Sequence, residues 1–327
     1  MFDITKLQPQ YGITMSFCKT NRFVFYGEAP TSEACTADAD AYISARESAM
    51  PVGGVNDVKN SIADAEHRCT DVSTCRGENV YRAEGLGAPH FFTTRGTPDN
   101  FMPRDTVTAE KQLHSTKVVY ISDENADRPH YCDGFVIDRA SFAERGRYVA
   151  IRTADCVPIL FYDPVAGVAG AVHAGWRGTV GVQGLPLPQG ATDNDPDDRT
   201  EQNHVPGIAA AALRMMCAHG AVPANIRVAV GACIHSCCFE VSDDFLDSVR
   251  DALGEPLSEH IDLLTVERNG RRYFDLPALN TELLKRAGIS DDNIMISPHC
   301  TCHEDEFFSF RREGRIVGLL YAGIALP

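Results

Sequence analysis

The stretch from Tyr148 to Gly178 constrains the fold most, because it sets three apolar runs between sharp breaks. Tyr148-Val149-Ala150-Ile151-Arg152-Thr153 and Val157-Pro158-Ile159-Leu160-Phe161-Tyr162 read as strands on either side of an Asp155-Cys156 corner. Asp163-Pro164 ends the second. Val165 to His173 is small and apolar, as a buried strand should be, and Gly175-Trp176-Arg177-Gly178 breaks it as a tight turn.

Further strands are expected at Pro89-His90-Phe91-Phe92-Thr93-Thr94, at Thr116-Lys117-Val118-Val119-Tyr120-Ile121 and at Ile226-Arg227-Val228-Ala229-Val230. A last one, Ile316 to Tyr321, closes the chain. Helices are expected over Asn56 to Arg68, Ile208 to His219 with Gly220 as stop, Asp243 to Leu253, and Leu276 to Ala287 with Gly288 as stop. Gly181 to Pro206 holds Leu185-Pro186-Leu187-Pro188 and an acidic run, and reads as a solvated loop, lid or insertion. Residues 1 to 85 are rich in Ala, Asp, Ser and Thr and show no chemistry of their own.

The chain has 327 residues, 30 basic and 45 acidic, for a net charge of −15. Such a field repels phosphate backbones and argues against a nucleic-acid partner. It leaves room for a small anionic substrate in a locally basic pocket. The N-terminus, Met1-Phe2-Asp3-Ile4-Thr5-Lys6, has no basic region followed by an apolar one, and no apolar run reaches the ~18 residues of a membrane span. The expectation is a cytoplasmic protein whose 12 cysteines are reduced.

Three separated residues carry the chemistry: His114, Cys156 and His173. Two imidazoles and a thiolate suit a tetrahedral zinc with its fourth position open, which is the mark of a catalytic rather than a structural ion. Each lies at or near a strand end, where a scaffold fixes a ligand and leaves one side open. Asp155 is expensive to place at a buried corner unless something uses it, and it is the candidate proton carrier. Arg177, between Gly175 and Gly178, has a planar fork suited to an anion, or else lies stacked on Trp176. Arg311 and Arg312, after the aromatic Phe307-Phe308-Ser309-Phe310, are candidates for phosphate or carboxylate.

Two further clusters are metal-like in composition. Cys233-Ile234-His235-Ser236-Cys237-Cys238 holds three thiols, but adjacent thiols ligate one ion poorly, and the segment reads as a tight buried loop. His299-Cys300-Thr301-Cys302-His303 alternates the two ligand types.

The motifs resemble one family along most of the chain, from about residue 89 onward. Leu113-His114-Ser115-Thr116, Asp133-Gly134, Thr153-Ala154-Asp155-Cys156-Val157-Pro158 and His173-Ala174-Gly175-Trp176-Arg177-Gly178-Thr179 are similar to those of the YfiH/YlmD-type laccase-domain proteins. Cys237-Cys238-Phe239-Glu240-Val241, Phe274-Asp275-Leu276-Pro277-Ala278-Leu279-Asn280, Cys300-Thr301 and Phe307 to Arg312 follow in family order. The family is also called polyphenol oxidase-like and is regarded as zinc-dependent purine nucleoside phosphorylases. The resemblance implies an α/β (α+β) fold of mixed β-sheets flanked by helices, with residues 86–327 as one catalytic domain behind an N-terminal region of 1–85. It also implies His114, Cys156 and His173 as zinc ligands and phosphorolysis of adenosine and inosine. Methylthioadenosine cleavage and adenosine deamination come with it. Phe92-Thr93-Thr94-Arg95-Gly96 resembles part of the family's opening motif, which adds Arg95 as a substrate-binding candidate. The 181–206 loop departs from the family, which runs from the Trp-Arg-Gly turn straight into a helix.

Three other readings use the same residues. A copper-dependent phenol oxidase needs many histidines, typically in His-x-His pairs; this chain has 11 His and no such pair, although copper is an alternative occupant of the triplet. A metal-independent cysteine hydrolase would use Cys156 as nucleophile and His173 as base. A non-catalytic metal-binding protein would work through its acidic loop.

Overall fold

The computed structural model describes residues 23–26, 79–142, 146–191, 206–255 and 257–327. The helix expected over Asn56 to Arg68, and most of the 181–206 loop, lie outside the described residues.

Two six-stranded sheets organise the chain. The first has the order β1 (Phe23–Tyr26), β2 (Val80–Ala83), β3 (His90–Thr93), β15 (Leu320–Ile324), β7 (Val149–Thr153), β4 (Val107–Thr108). The second runs β14 (Ile294–Ile296), β10 (Arg227–Val230), β8 (Val157–Asp163), β9 (Val168–Ala174), β6 (Gly134–Asp138), β5 (Val118–Tyr120). Both are mixed: β7 pairs antiparallel with β15 and parallel with β4, and β6 pairs antiparallel with β9 and parallel with β5. Since β1 and β2 pair with each other and β2 with β3, the first sheet reaches back into the N-terminal region. A small sheet of β11 (Glu240–Val241), β13 (Arg271–Phe274) and β12 (Thr265–Arg268) stands apart.

The second sheet is the middle of three layers. Leu160, Tyr162, Ala169, Ala171, Phe135 and Ala229 face the first sheet and share a core with Phe92, Ile151 and Ala322. Val157, Ile159, Phe161, Val168 and Val172 face the other way, against helices. All seven residues of β8 and all seven of β9 are therefore buried, which is why their sequences show no polar alternation. Each fully buried Ile, Leu or Phe there contributes about 1.5–3 kcal/mol.

The helices supplying that outer layer follow their local signals. After the single turn α1 (Trp176–Val180), α2 (Ile208–Ala218) is alanine-rich, a strong helix former, and Gly220 behind it takes φ +90°. In α3 (Asp243–Leu253) the Ser242 hydroxyl accepts from the Phe245 N–H, and Asp243 and Asp244 face the positive end of the helix dipole. The Asp275 carboxylate caps α4 (Leu276–Arg286), with Pro277 inside its first turn.

Two expectations need correcting. Trp176-Arg177-Gly178 opens the one-turn helix α1 rather than a tight turn, because Gly175 at its N-cap has extended backbone and Gly181 closes it at φ +80°. The final strand is Leu320–Ile324, not Ile316 to Tyr321; Ile316 and Val317 are exposed, and the strand begins only where it is gripped between β3 and β7.

Candidate metal centre

The register of the second sheet assembles the site. Val157 lies opposite Ala174 and Pro158 opposite His173, so Cys156, just before β8, comes beside the end of β9. Gly134 lies opposite Val172, which sets Asp133 beside His173, and the His173 N–H donates to the Asp133 carbonyl at 2.7 Å. β5 lies parallel to β6 on the far side, and the segment leading into it carries His114. Four chain segments thus end at one edge of the sheet.

His114, Cys156 and His173 meet there. Their ligand atoms lie within 4.8 Å of one another. The two imidazoles stand edge to face with centroids 4.7 Å apart. His173 is buried, whereas His114 and Cys156 are half-buried, so the group is reachable from one side. His114 Nδ1 is shielded from solvent and, among the described residues, has no hydrogen-bond partner. Gly175 leaves the space: a Cβ on it would stand 2.9 Å from His114 Cδ2, 3.3 Å from Cys156 Sγ and 3.6 Å from His173 Cε1. An orphaned imidazole nitrogen, a thiol and a second imidazole around a gap held open by glycine fit a cation with nitrogen and sulfur ligands.

Asp133 holds the arrangement in place. It is fully buried, and five donors converge on its carboxylate. Oδ2 accepts from the N–H of Leu113 (3.0 Å), the N–H of Ser115 (2.8 Å) and the Ser115 hydroxyl (2.7 Å). Oδ1 accepts from the N–H of His114 (2.9 Å) and from His173 Nδ1 (2.8 Å). Three successive backbone N–H groups turned to one carboxylate give His114 its left-handed φ of 57°, a conformation that costs energy unless its surroundings enforce it. The bond from Nδ1 leaves the other nitrogen of His173 for a metal, the usual carboxylate–histidine support of a ligand. Burial works against ionisation of Asp133, but the hydrogen bond and charge of His173 and the bonds from Ser115 hold its pKa below the ordinary value. Sequence reasoning quoted Asp133-Gly134 as a motif but gave the aspartate no role.

The group is polarised. Burial would push the Cys156 thiol up, but the charge of His173 and hydrogen bonds with His114 and His173 bring its pKa down to about 6. Burial would likewise lower His173, and the thiolate of Cys156 with the Asp133 carboxylate raises it to about 10. The two form a thiolate–imidazolium pair backed by a carboxylate.

The other candidate residues are placed as follows. Asp155 is buried at φ +99°, and both carboxylate oxygens are engaged: Oδ1 by the Thr301 hydroxyl (2.7 Å), Oδ2 by the Arg311 N–H (2.6 Å). It ties the Cys156 corner to α5 (Phe310–Glu313) and to the Cys300–Thr301 segment. Arg177 stacks over the Trp176 ring at 4.7 Å. Arg311 is exposed; its Nη1 donates to the carbonyls of Cys238 (3.2 Å) and Glu240 (3.0 Å), and its guanidinium lies 5.3 Å from the Phe239 ring centre. Arg312 clamps its own loop, donating to the carbonyls of Thr301, Cys302, Glu304 and Phe307. Arg95 pairs with Glu313, donates to the Phe307 carbonyl and lies over the Phe308 ring.

A sequence model of the family described as multi-copper polyphenol oxidoreductase laccase matches residues 98–184 and 201–327. The chain belongs to this family. The match breaks inside the 181–206 loop. Among its relatives, a purine nucleoside phosphorylase of Deinococcus radiodurans is 32% identical over 285 residues, 78% of this chain and 95% of that one. A protein named adenosine deaminase RL5, from an unknown prokaryote, is 32% identical over 67% of this chain and 75% of its own length. Of solved structures, YfiH from Bacillus licheniformis superposes with a TM-score of 0.61 at 26% identity, covering 77% of this chain and 97% of that one. The laccase-domain resemblance and the mixed-sheet α/β fold are both borne out. Among the described residues no helix is long and apolar enough to cross a membrane, and the eight cysteines form no disulfide.

Proposed function

We propose that this chain is a metal-dependent purine nucleoside phosphorylase acting on inosine and adenosine, with zinc held by His114, Cys156 and His173. The observation that carries the reading is the meeting of these three residues around the Gly175 gap, with Asp133 fixing two of them. Relatives named purine nucleoside phosphorylase and adenosine deaminase support a nucleoside as the substrate. A cation held by these residues would supply Lewis-acid polarisation of an oxygen.

The residues of the chain do the rest. Asp133 orients His173 and sets the backbone of His114, so both imidazoles are presented without reorganisation. Asp155 serves as a positioning residue, since both its oxygens are committed to Thr301 and to the Arg311 N–H. Arg177 is the phosphate-holding candidate: it lies two residues beyond Gly175, is half-buried, and is stacked on Trp176 with no ion pair among the described residues. Arg311 is a second candidate, because its hydrogen bonds use only one terminal amino group. Arg312 and Arg95 are assigned to holding the 301–313 segment together. In phosphorolysis a phosphate oxygen bonds to the anomeric carbon as the base departs with the electron pair of the glycosidic bond. Positioning and electrostatics supply most of the rate in such a step.

Incubation with inosine or adenosine, with and without phosphate, tests the reading. Ribose 1-phosphate and free base should form only with phosphate. Base release indifferent to phosphate, or none at all, contradicts it. The Asp133–His173–Cys156 alignment also favours a second reading, a metal-free cysteine hydrolase. Activity that survives full metal removal and is killed by alkylation would select it.

A further inference from the structure

A second sulfur-rich group includes Cys300, the neighbour of the Thr301 whose hydroxyl donates to Asp155. Cys237, Cys238 and Cys300 place their sulfurs within 4.8 Å of one another. Cys302 adds a fourth, in hydrogen-bond contact with Cys238 and Ser309. Within its own segment the adjacent pair Cys237-Cys238 is a poor chelator; the fold supplies the partner that changes this. A parallel bridge between Cys233 and Cys300 holds two turns side by side. One turn is closed by the N–H groups of Cys238 and Phe239 on the His235 carbonyl, both at 2.9 Å. The other is closed by the N–H groups of His303 (3.1 Å) and Glu304 (3.0 Å) on the Cys300 carbonyl. Each turn folds its two cysteines towards the other.

The three sulfurs already converge: the thiols of Cys237 and Cys238 point towards Cys300, and the N–H of His235 also donates to its sulfur (3.4 Å). Three guanidinium groups rest on the carbonyls of the same turns: Arg268 on Ser236 and Cys237, Arg311 on Cys238, and Arg312 on Thr301 and Cys302. They offset the negative charge that several thiolates around one cation would leave.

We propose that Cys237, Cys238 and Cys300, with Cys302 beside them, form a second metal site, made of thiolates alone and selective for Cu(I). Soft sulfur ligands suit Cu(I) and zinc alike; Cu(I) accepts three-fold coordination, and three sulfurs are what this group brings together, Cys302 standing outside it, whereas zinc in a structural site takes four ligands. A three-coordinate ion with metal–sulfur bonds of ~2.3 Å spreads its sulfurs ~4 Å apart, a spacing that fits within the observed limit. Binding releases a proton from each thiol that is still protonated and changes no oxidation state. The site stands independently of whatever reaction the first centre performs, although Thr301 joins the two through Asp155.

The test uses the reduced, full-length protein under anaerobic conditions, titrated with Cu(I) against a competing Cu(I) chelator. Cysteine alkylation mapped by mass spectrometry reports the ligands. One Cu(I) per chain should bind with ultraviolet thiolate-to-copper absorption and shield Cys237, Cys238 and Cys300 of the wild-type protein from alkylation. Cys156→Ala should retain this Cu(I), and Cys237→Ser/Cys238→Ser should lose it. The proposal is overturned if Cu(I) shields only Cys156, or if the thiols bind zinc and not Cu(I). It is also overturned if Cys237 or Cys238 forms a disulfide with Cys300 and takes up no Cu(I) after reduction.

Discussion

Substituting Gly175 with alanine separates the metal-centre account from a merely structural one. Gly175 has φ −64° and ψ 162°, backbone that alanine adopts without strain. The metal-free fold should lose only the capping preference of glycine over alanine, about 0.5–1 kcal/mol, or about 1–4 °C in Tm. The new methyl is a different matter inside the site. It would stand 2.9 Å from His114 Cδ2 and 3.3 Å from Cys156 Sγ, tighter than ordinary carbon contacts. Overpacking of this kind costs about 1–3 kcal/mol. In the metal-free protein the His114 ring, whose Nδ1 has no partner among the described residues, turns aside to relieve the contact, so the cost falls on metal binding as a loss of roughly 5- to 150-fold in affinity. The assay is a zinc titration against a chromophoric chelator, run beside thermal melts of the metal-free proteins. The expected result is near-wild-type melting with weakened zinc binding and reduced turnover. Wild-type zinc affinity in a folded Gly175→Ala protein would refute the idea that this gap is the cation's seat.

Other perturbations give distinct signatures. Asp133→Asn removes a buried carboxylate that satisfies five donors; it should destabilise the fold by about 3–5 kcal/mol and weaken metal binding roughly 10- to 100-fold. Urea melts and zinc titrations check this, and unchanged metal affinity would deny the aspartate its supporting role. Arg312→Ala should cost about 2–3 kcal/mol in urea melts, because the guanidinium bridges four carbonyls, while phosphate KM stays unchanged. A raised phosphate KM at constant stability would return Arg312 to the substrate site. His90 gives a pH signature away from the metal. Burial drops its pKa from 6.5 to about 4, and its Nε2 accepts from the Ala83 N–H at 2.8 Å in the neutral form. Above pH 6.5 both folded and unfolded chains hold it neutral, and its contribution is complete. As pH falls towards 4 the unfolded chain takes up a proton that the folded chain refuses, and about 3 kcal/mol is lost. Urea midpoints between pH 7 and 4 should fall less in His90→Gln than in wild type; equal falls would rule this group out.

Much of the frame was legible in the sequence because burial leaves a plain mark there. The runs around Asp155-Cys156 and up to His173 are apolar on both faces, and they became β7, β8 and β9. The triplet was legible for a chemical reason, since two imidazoles and a thiol at strand ends have few other uses in common. Asp133 left no such mark. Its work is to gather backbone donors from residues 113 to 115, and side-chain patterns do not record where N–H groups point. The arginines after the aromatic run Phe307 to Phe310 were ambiguous because a guanidinium satisfies carbonyls as readily as phosphates; the contacts of Arg312 separate the two uses. The start of β15 was hidden for the opposite reason. Ile316 and Val317 are apolar yet exposed, so hydropathy drew the strand too early.

The most direct measurement is bound zinc per chain, determined together with phosphate-dependent base release from inosine, in wild type and Cys156→Ala. The account predicts about one zinc per wild-type chain. It predicts base release that requires phosphate, and loss of both that zinc and the activity in the variant. Full zinc content and full activity in Cys156→Ala would contradict it.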